Sequence, residues 1–289
     1  MKLIDGRALA EKIKDGIAKE IYNLNGPRPG LAIILIGERP DSQLYVRLKE
    51  KQSRAVGIDT HVYYCEDSIT EDKVIETINF LNNDDSVDAI LVQLPLPSHL
   101  HTEKIVNTIV SEKDVDGFTK KNLEALMRND MKTALLPPVY AVILTILSSI
   151  NQSLAEKKVT LIANSDIFVD NLAETLRRQG AEVTIADSND NNLSSLTKQA
   201  DVIITAVGKP HYITADMIKS NATIIDIGIS TGSDGKVQGD VDADSLEDIT
   251  GYITPVPGGV GPMTIAMAFW NTLEIFKRRK NLTSHVNEK

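Results

Sequence analysis

Ser42, Tyr45 and Lys49 stand three and four residues apart. On a helix that spacing sets a hydroxyl, a phenol and an amine on one face. The helix they would occupy follows the apolar run LAIILIG at 31–37, with Ser42 placed to cap its first turn and Gly57 just past its end. Open parallel sheets bind ligands beyond the carboxyl ends of their strands. A polar face that opens there is either a site or a merely solvated helix surface. The same rule points to Gly37–Ser42, to Gln93–Pro97 and to Gly208–Pro210.

Gln93 ends a second apolar run, in VQLPLPSHL at 92–100, where Leu94, Pro95 and Pro97 follow in a stiffened segment. It is either a satisfied turn residue or a site residue. Asp114 and Asp116 alternate in EKDVDGF; they lack the further ligands of a calcium loop, so no metal is expected. The most specific stretch is ITPVPGGVGPMTIAM at 253–267, with Pro257, Gly258, Gly259, Gly261 and Pro262 around Val260. Its glycines let backbone approach a ligand closely. A helix beginning near Pro262 would add free N–H donors. A tight interdomain turn is the alternative.

These residues need elements to place them. Strand-like and helix-like segments alternate along the whole chain. Strands are expected at 31–37, 60–66 and 87–95, separated by helices over 42–56 and 70–83, the second capped by Thr70, and followed by a short helix near 102–110. The pattern restarts after ALLPPVYAVILTIL, with strands at 158–163, 182–186, 201–207 and 223–228 and helices near 168–180, 192–198 and 214–219. An Asp234-Gly235 turn, a short strand in GYITPVP and a long helix near 262–280 close the chain. Alternation of this kind implies parallel sheets covered by helices, an α/β fold in two domains.

The 289 residues suffice for two medium domains, and 42% hydrophobic with 25% charged residues describes a globular chain with a buried core. The net charge of −9 argues against nucleic acid or an anionic membrane as partner. The one basic cluster, KRRK at 277–280, is expected to complement the dipole of the last helix. A single cysteine, Cys65, permits no internal disulfide and is expected to be a buried strand residue. The longest apolar stretch, 134–147, is too short to span a bilayer, and no signal peptide is visible, so a cytoplasmic protein is expected.

In VTLIANSDIFVDN a strand passes into an amphipathic helix, as in a dinucleotide-binding unit, yet the turn contains no glycine.

Read in order, DGRALA, SQLYVRLKEK, VQLPLPSHL, KDVDGF, ADVIITAVGKP, IIDIGIS, GDVD and TPVPGGVGPMTIAM resemble the methylenetetrahydrofolate dehydrogenase/methenyltetrahydrofolate cyclohydrolase (FolD) family along nearly the whole chain. The resemblance implies a homodimer whose catalytic domain, residues 1–139 and 262–289, shares a cleft with a Rossmann-like domain, 140–261. It implies a tetrahydrofolate derivative as substrate, NADP or NAD as cofactor, and no metal. By position, Tyr45 resembles the aromatic that packs on the folate. Lys49 resembles the essential cyclohydrolase lysine, Gln93 its hydrogen-bonding partner and Asp116 the carboxylate on the pterin edge. Ser42, Leu94, Pro95 and the Pro257–Pro262 segment complete the substrate set.

The departures gather on the nucleotide side. Ala163, Asn164 and Ser165 stand for Gly-Arg-Ser, Phe168 and Val169 for Val-Gly, LLPPVY for Pro-Cys-Thr-Pro, and Ala186, Asp187 and Ser188 for Cys-His-Ser. The folate side departs only at its edges, as at Thr119 and Glu124. Asn164, Ser165, Asp187, Ser188 and Ile229 remain as cofactor contacts. Side chains in place of glycine, Asp166 and Asp170 beside the turn and the missing arginine lead to the expectation that NADP binds poorly. With Asp187 at the next strand end, residual oxidation would prefer NAD.

Overall fold

A computed structural model describes residues 1–164, 166–232 and 235–282, apart from the side chains of Asp166 and Ile167. In chain order the first elements are β1 (Lys2–Leu3), α1 (Gly6–Asn23), β2 (Gly30–Ile36), α2 (Pro40–Val56), β3 (Asp59–Cys65), α3 (Glu71–Asn83) and β4 (Ala89–Val92). Three helices follow, α4 (Thr102–Thr108), α5 (Lys120–Met127) and α6 (Pro138–Ser149). Then come β5 (Lys158–Ala163), α7 (Asp166–Arg178), β6 (Glu182–Ala186), α8 (Leu193–Gln199), β7 (Val202–Ala206) and β8 (Ala222–Asp226). The last elements are β9 (Ser230–Thr231), β10 (Val237–Gln238), β11 (Gly251–Ile253) and α9 (Val260–Arg279). Two compact units result, residues 11–138 with 265–289, and residues 1–10 with 139–264.

The first unit holds a three-stranded parallel sheet in the order β3-β2-β4. The central strand, GLAIILI, is buried along its full length, as a continuous apolar run in a covered parallel sheet must be. Leu31, Ile33 and Leu35 pack with Ile17 and Ile21 of α1 and Phe269, Leu273 and Phe276 of α9. Ile34 and Ile36 pack on the other face with Val74 and Ile78 of α3 and Ile105 of α4. The basic cluster does more than face a helix dipole. Lys277 is buried, its Nζ 2.6 Å from Glu20 and 2.6 Å from Glu274, and the Arg278 guanidinium donates to the Ala134 carbonyl at 3.3 Å. Cys65 closes β3 only half-buried. Thr70 holds the N-cap position of α3, but its side chain makes no capping bond; Glu71 and Asp72 supply the favourable charge there instead.

The second unit is a six-stranded parallel sheet in the order β1-β11-β8-β7-β5-β6. The order reverses at β5, which has β6 on one side and β7 on the other. Crevices at such a switch point are where doubly wound sheets take nucleotides. Lys2 and Leu3 pair with Tyr252 and Ile253, and the first ten residues group with this unit. The helix expected near 214–219 is a single 3-10 turn, Ala215–Met217. The Thr214 hydroxyl donates to Asp216 at 2.5 Å, a local bond that competes with helix propagation. Antiparallel β9 and β10 flank the expected turn, of which Asp234 lies outside the described residues.

Candidate active site

Helix α2 begins at Pro40, two residues earlier than its spacing suggested, because proline's fixed φ suits a first helical position. Ser42 is therefore not a cap. It sits inside the first turn, 4% exposed, and its hydroxyl finds no hydrogen-bond partner. Tyr45 and Lys49 follow on the same face, both half-buried, while Leu44 and Leu48 point outward. The face is not a solvated one. Tyr45 packs against the core of its unit, and burial, with Asp41 adding, raises its phenol above the ordinary range.

Gln93 follows β4, and its backbone N–H donates to the Ile34 carbonyl at 2.9 Å. Lys49 Nζ donates to Gln93 Oε1 at 2.9 Å, and Gln93 Nε2 donates to the Leu94 carbonyl at 2.7 Å. A lysine ammonium has no acceptor, so the amide oxygen must face it, and this fixes the amide's orientation. Leu94 and Pro95 are exposed beside it, joined by a cis peptide. Burial lowers Lys49 and the nearby Asp116 carboxylate opposes that shift; burial raises Asp116 and Lys49 opposes it.

Asp116 is half-buried in its loop. Its neighbour does separate work. Asp114 is 1% exposed and accepts from the N–H groups of Gly117 at 2.9 Å and Thr119 at 2.7 Å, although burial still pushes its carboxyl up to about 6. It organises the loop that carries Asp116. No group of three or more metal-ligating side chains occurs among the described residues.

Pro257, Gly258, Gly259, Gly261 and Pro262 lie on the second unit's loop and the first turn of α9, which begins at Val260. Val256–Pro257 is cis. Gly258 has φ +113°, and the Arg7 guanidinium lies over it: a Cβ there would stand 3.2 Å from Nε. A Cβ on Gly6 would fall 1.9 Å from the Gly259 carbonyl oxygen, so DGRALA and PGGVGP fit only as a pair.

On the nucleotide side, Asn164 follows β5, and its Nδ2 donates to the Val207 carbonyl at 3.0 Å across the switch point. Ser188 follows β6; Lys209 Nζ donates to its Oγ at 3.0 Å and to Asn189 Oδ1 at 3.3 Å. Lys209 also stands 5.2 Å from the centre of the Tyr212 ring, whose hydroxyl donates to the Ser188 carbonyl. Lys209 was not foreseen as a site residue. It lies in the strand-end stretch Gly208–Pro210 and in the motif ADVIITAVGKP, and it is the only cation in that stretch. Ile229 is 49% exposed beyond β8, and Ser165 lies outside the described residues.

Several expected obstacles take another form. Ala163 and Val169 are buried, so their side chains do not project from the turn. Phe168 and Tyr140, both at departures from the family pattern, pack together with ring centres 5.6 Å apart, and the Tyr140 hydroxyl donates to the Phe168 carbonyl at 2.8 Å. Asp187 accepts from its own turn, from the Asn189 N–H at 2.6 Å. The Asp166 side chain lies outside the described residues. Gly208, at φ +74°, has open space above it: a Cβ would meet only the Ile229 carbonyl oxygen, at 3.9 Å. Together these residues fit an anionic dinucleotide.

Two buried carboxylates pin the strand ends beneath. Asp240 accepts from the Thr205 hydroxyl at 2.7 Å and from the N–H groups of Val207 at 2.7 Å and Lys209 at 2.9 Å. Asp226 accepts from Gly228 and Val241, each at 2.9 Å. Burial, with the neighbouring Asp240 adding, pushes Asp226 up to about 7.

Two family models match consecutive stretches of the chain. Residues 4–116 match the tetrahydrofolate dehydrogenase/cyclohydrolase catalytic domain, and residues 137–280 match the NAD(P)-binding domain of the same description. The chain is 44% identical over 285 residues to the bifunctional protein FolD of Sulfurihydrogenibium sp., covering 96% of this chain and 99% of that one. Among solved structures it is similar to bifunctional FolD from Campylobacter jejuni (TM-score 0.92, 40% identity, covering 96% of this chain and 99% of that one). It is also similar to the Trypanosoma brucei enzyme complexed with NADP cofactor and inhibitor (TM-score 0.91, 32% identity, 96% and 98%).

Proposed function

We propose a function on the premise that this chain belongs to the tetrahydrofolate dehydrogenase/cyclohydrolase family. It is a bifunctional enzyme of one-carbon metabolism that oxidises methylenetetrahydrofolate and hydrolyses the methenyl product. The observation that carries the hydrolytic half is the Lys49 amine held at 2.9 Å by the Gln93 amide, with Asp116 acting on the same charge.

Methenyltetrahydrofolate carries a cationic, amidine-like carbon. Its hydrolysis needs a water aimed at that carbon and an acceptor for the water's proton. Burial shifts Lys49 toward the neutral amine, against the pull of Asp116, and a cationic substrate beside it would shift it further. With one N–H committed to Gln93, the amine's lone pair has a fixed direction in which to take the proton. Tyr45 packs against the substrate ring, Asp116 binds the pterin edge, and Ser42, Leu94 and Pro95 complete this unit's substrate set.

NADP, when bound, accepts the hydride; the protein's part is to align two rings. Asn164, Ser188, Lys209 and the backbone at Ile229 are the residues that would hold it. A hydrolase lacking the oxidation step is not favoured, because residues 137–280 match the NAD(P)-binding domain and its strand ends present a cation. A homodimer in the cytoplasm belongs to the same reading. The exposed outer strand β6, with Ile185 41% exposed, supports the first, and among the described residues no helix is long and apolar enough to cross a membrane.

Purified protein given methylenetetrahydrofolate and NADP should reduce the nucleotide, and given the methenyl compound should speed the decay of its absorbance. Absence of both signals would refute the assignment.

A further inference from the structure

We propose that Lys209 selects a 2′-phosphorylated dinucleotide over its unphosphorylated counterpart, by pairing its ammonium with the ribose phosphate. This rests on the second unit being the nucleotide domain and adds which nucleotide it takes and through which residue.

The end of the strand next to the switch-point strand is where doubly wound sheets read the ribose 2′ position, either with an acid for the free hydroxyl or with a nearby cation for a phosphate. Here that strand is β6, and both an acid and a cation are present. The acid, Asp187, has one oxygen occupied by the Asn189 N–H at 2.6 Å. The cation reaches in from the β7 end. Lys209 Nζ meets Ser188 Oγ at 3.0 Å and Asn189 Oδ1 at 3.3 Å, with the Tyr212 ring 5.2 Å away. All three are neutral, and among the described residues no carboxylate lies within ion-pair distance of this ammonium. Two of its three donors are used, which leaves one for a ligand. The backbone is fixed as well, since Asp240 accepts the Lys209 N–H at 2.9 Å and Pro210 follows. The charge of the missing arginine at position 164 is thus supplied from another strand, and the ammonium arrives already positioned by Ser188.

A lysine that only buttressed the Ser188 turn would affect every nucleotide alike. Calorimetric titration of the full chain with NADP, NAD, 2′,5′-ADP and 5′-ADP separates the two roles. The unsubstituted protein should bind NADP about tenfold or more tighter than NAD, as a charged hydrogen bond implies, and 2′,5′-ADP tighter than 5′-ADP. Lys209→Gln, which keeps a donor for Ser188, should lose at least about that factor for the 2′-phosphorylated ligands alone. Lys209→Ala should do the same, and Lys209→Arg should retain the preference. Added salt should weaken NADP binding in the parent protein more than in Lys209→Gln. Equal weakening of NAD and NADP, an unchanged NADP affinity in Lys209→Gln, or a parent protein that prefers NAD would each overturn the proposal. A parent protein that binds no nucleotide at all would overturn the cofactor reading together with it, so the two failures are distinct.

Discussion

Lys49 and Gln93, 44 residues apart in sequence, meet at 2.9 Å because α2 leaves the carboxyl end of β2 while Gln93 leaves that of its neighbour β4. The parallel sheet therefore brings an amine and an amide from two strand ends into one contact.

Replacing Lys49 by methionine keeps most of the apolar stem and removes the amine. Hydrolysis of methenyltetrahydrofolate should fall by about a hundred- to ten-thousandfold, the usual worth of one general acid–base group. The melting profile should stay close to that of the parent. A near-parental rate of absorbance decay would remove Lys49 from the chemistry.

Asp116 favours the charged form of Lys49 and burial opposes it. If neutral lysine is the active form, the hydrolytic rate rises with pH as its proton leaves, below the ordinary lysine range. Asp116→Asn removes the anion, so the rising limb should move to lower pH. Folate binding should weaken by about 1.5–3 kcal/mol, the worth of a charged hydrogen bond. A limb that stays in place, or moves up, would detach Asp116 from Lys49.

Ser42 carries a buried hydroxyl with no partner in the protein. Such a group costs about 1–3 kcal/mol, so Ser42→Ala should raise stability by about 1 kcal/mol while increasing KM for the folate. Urea titration and steady-state kinetics read the two effects. Lower stability with unchanged KM would make Ser42 a packing residue only.

Asp226 holds its proton up to about pH 7 in the folded chain, against 3.8 for an ordinary aspartate. Between those values the native state binds more protons than the unfolded state. Its contribution is therefore full at low pH and is lost as pH rises through about 7. Comparing urea midpoints at about pH 4 and about pH 8, Asp226→Asn should show a shallower fall than the parent. An identical fall in both would assign the pH dependence elsewhere.

The strands and long helices were legible because each is either a continuous apolar run, such as GLAIILI, or an amphipathic segment ended by a residue such as Gly57. Gln93 stood out because motif and strand-end position agreed, Tyr45 and Lys49 because they share a helix face with Ser42, and Asp116 through its motif. Ser42 was misplaced because Pro40 can open a helix two residues sooner than a serine cap suggests. The pairing of the first residues was not legible because a two-residue strand has no periodicity to read; only its partner, β11, identifies it. Lys209 lay in a strand-end stretch, but its contact with Ser188 was not legible because it follows β7, which the sheet pairs with β5 at residues 43 apart, as at Ala163 and Ala206. Val169 looked like an obstacle until its burial showed which way its side chain turns.

The chain passes between its two units at residues 10–11, 138–139 and 264–265, and each unit borrows an end of the other's sequence. Phe269, Leu273 and Phe276 from the last helix fill the core under β2, while Lys2 and Leu3 extend the six-stranded sheet. Neither half is a contiguous reading frame. A premature stop, a gene fission or a recombination at a single junction would spill one core and unpair one sheet edge. The final helix and the first residues are thus tied to cores and sheets that the rest of the chain builds far away in sequence.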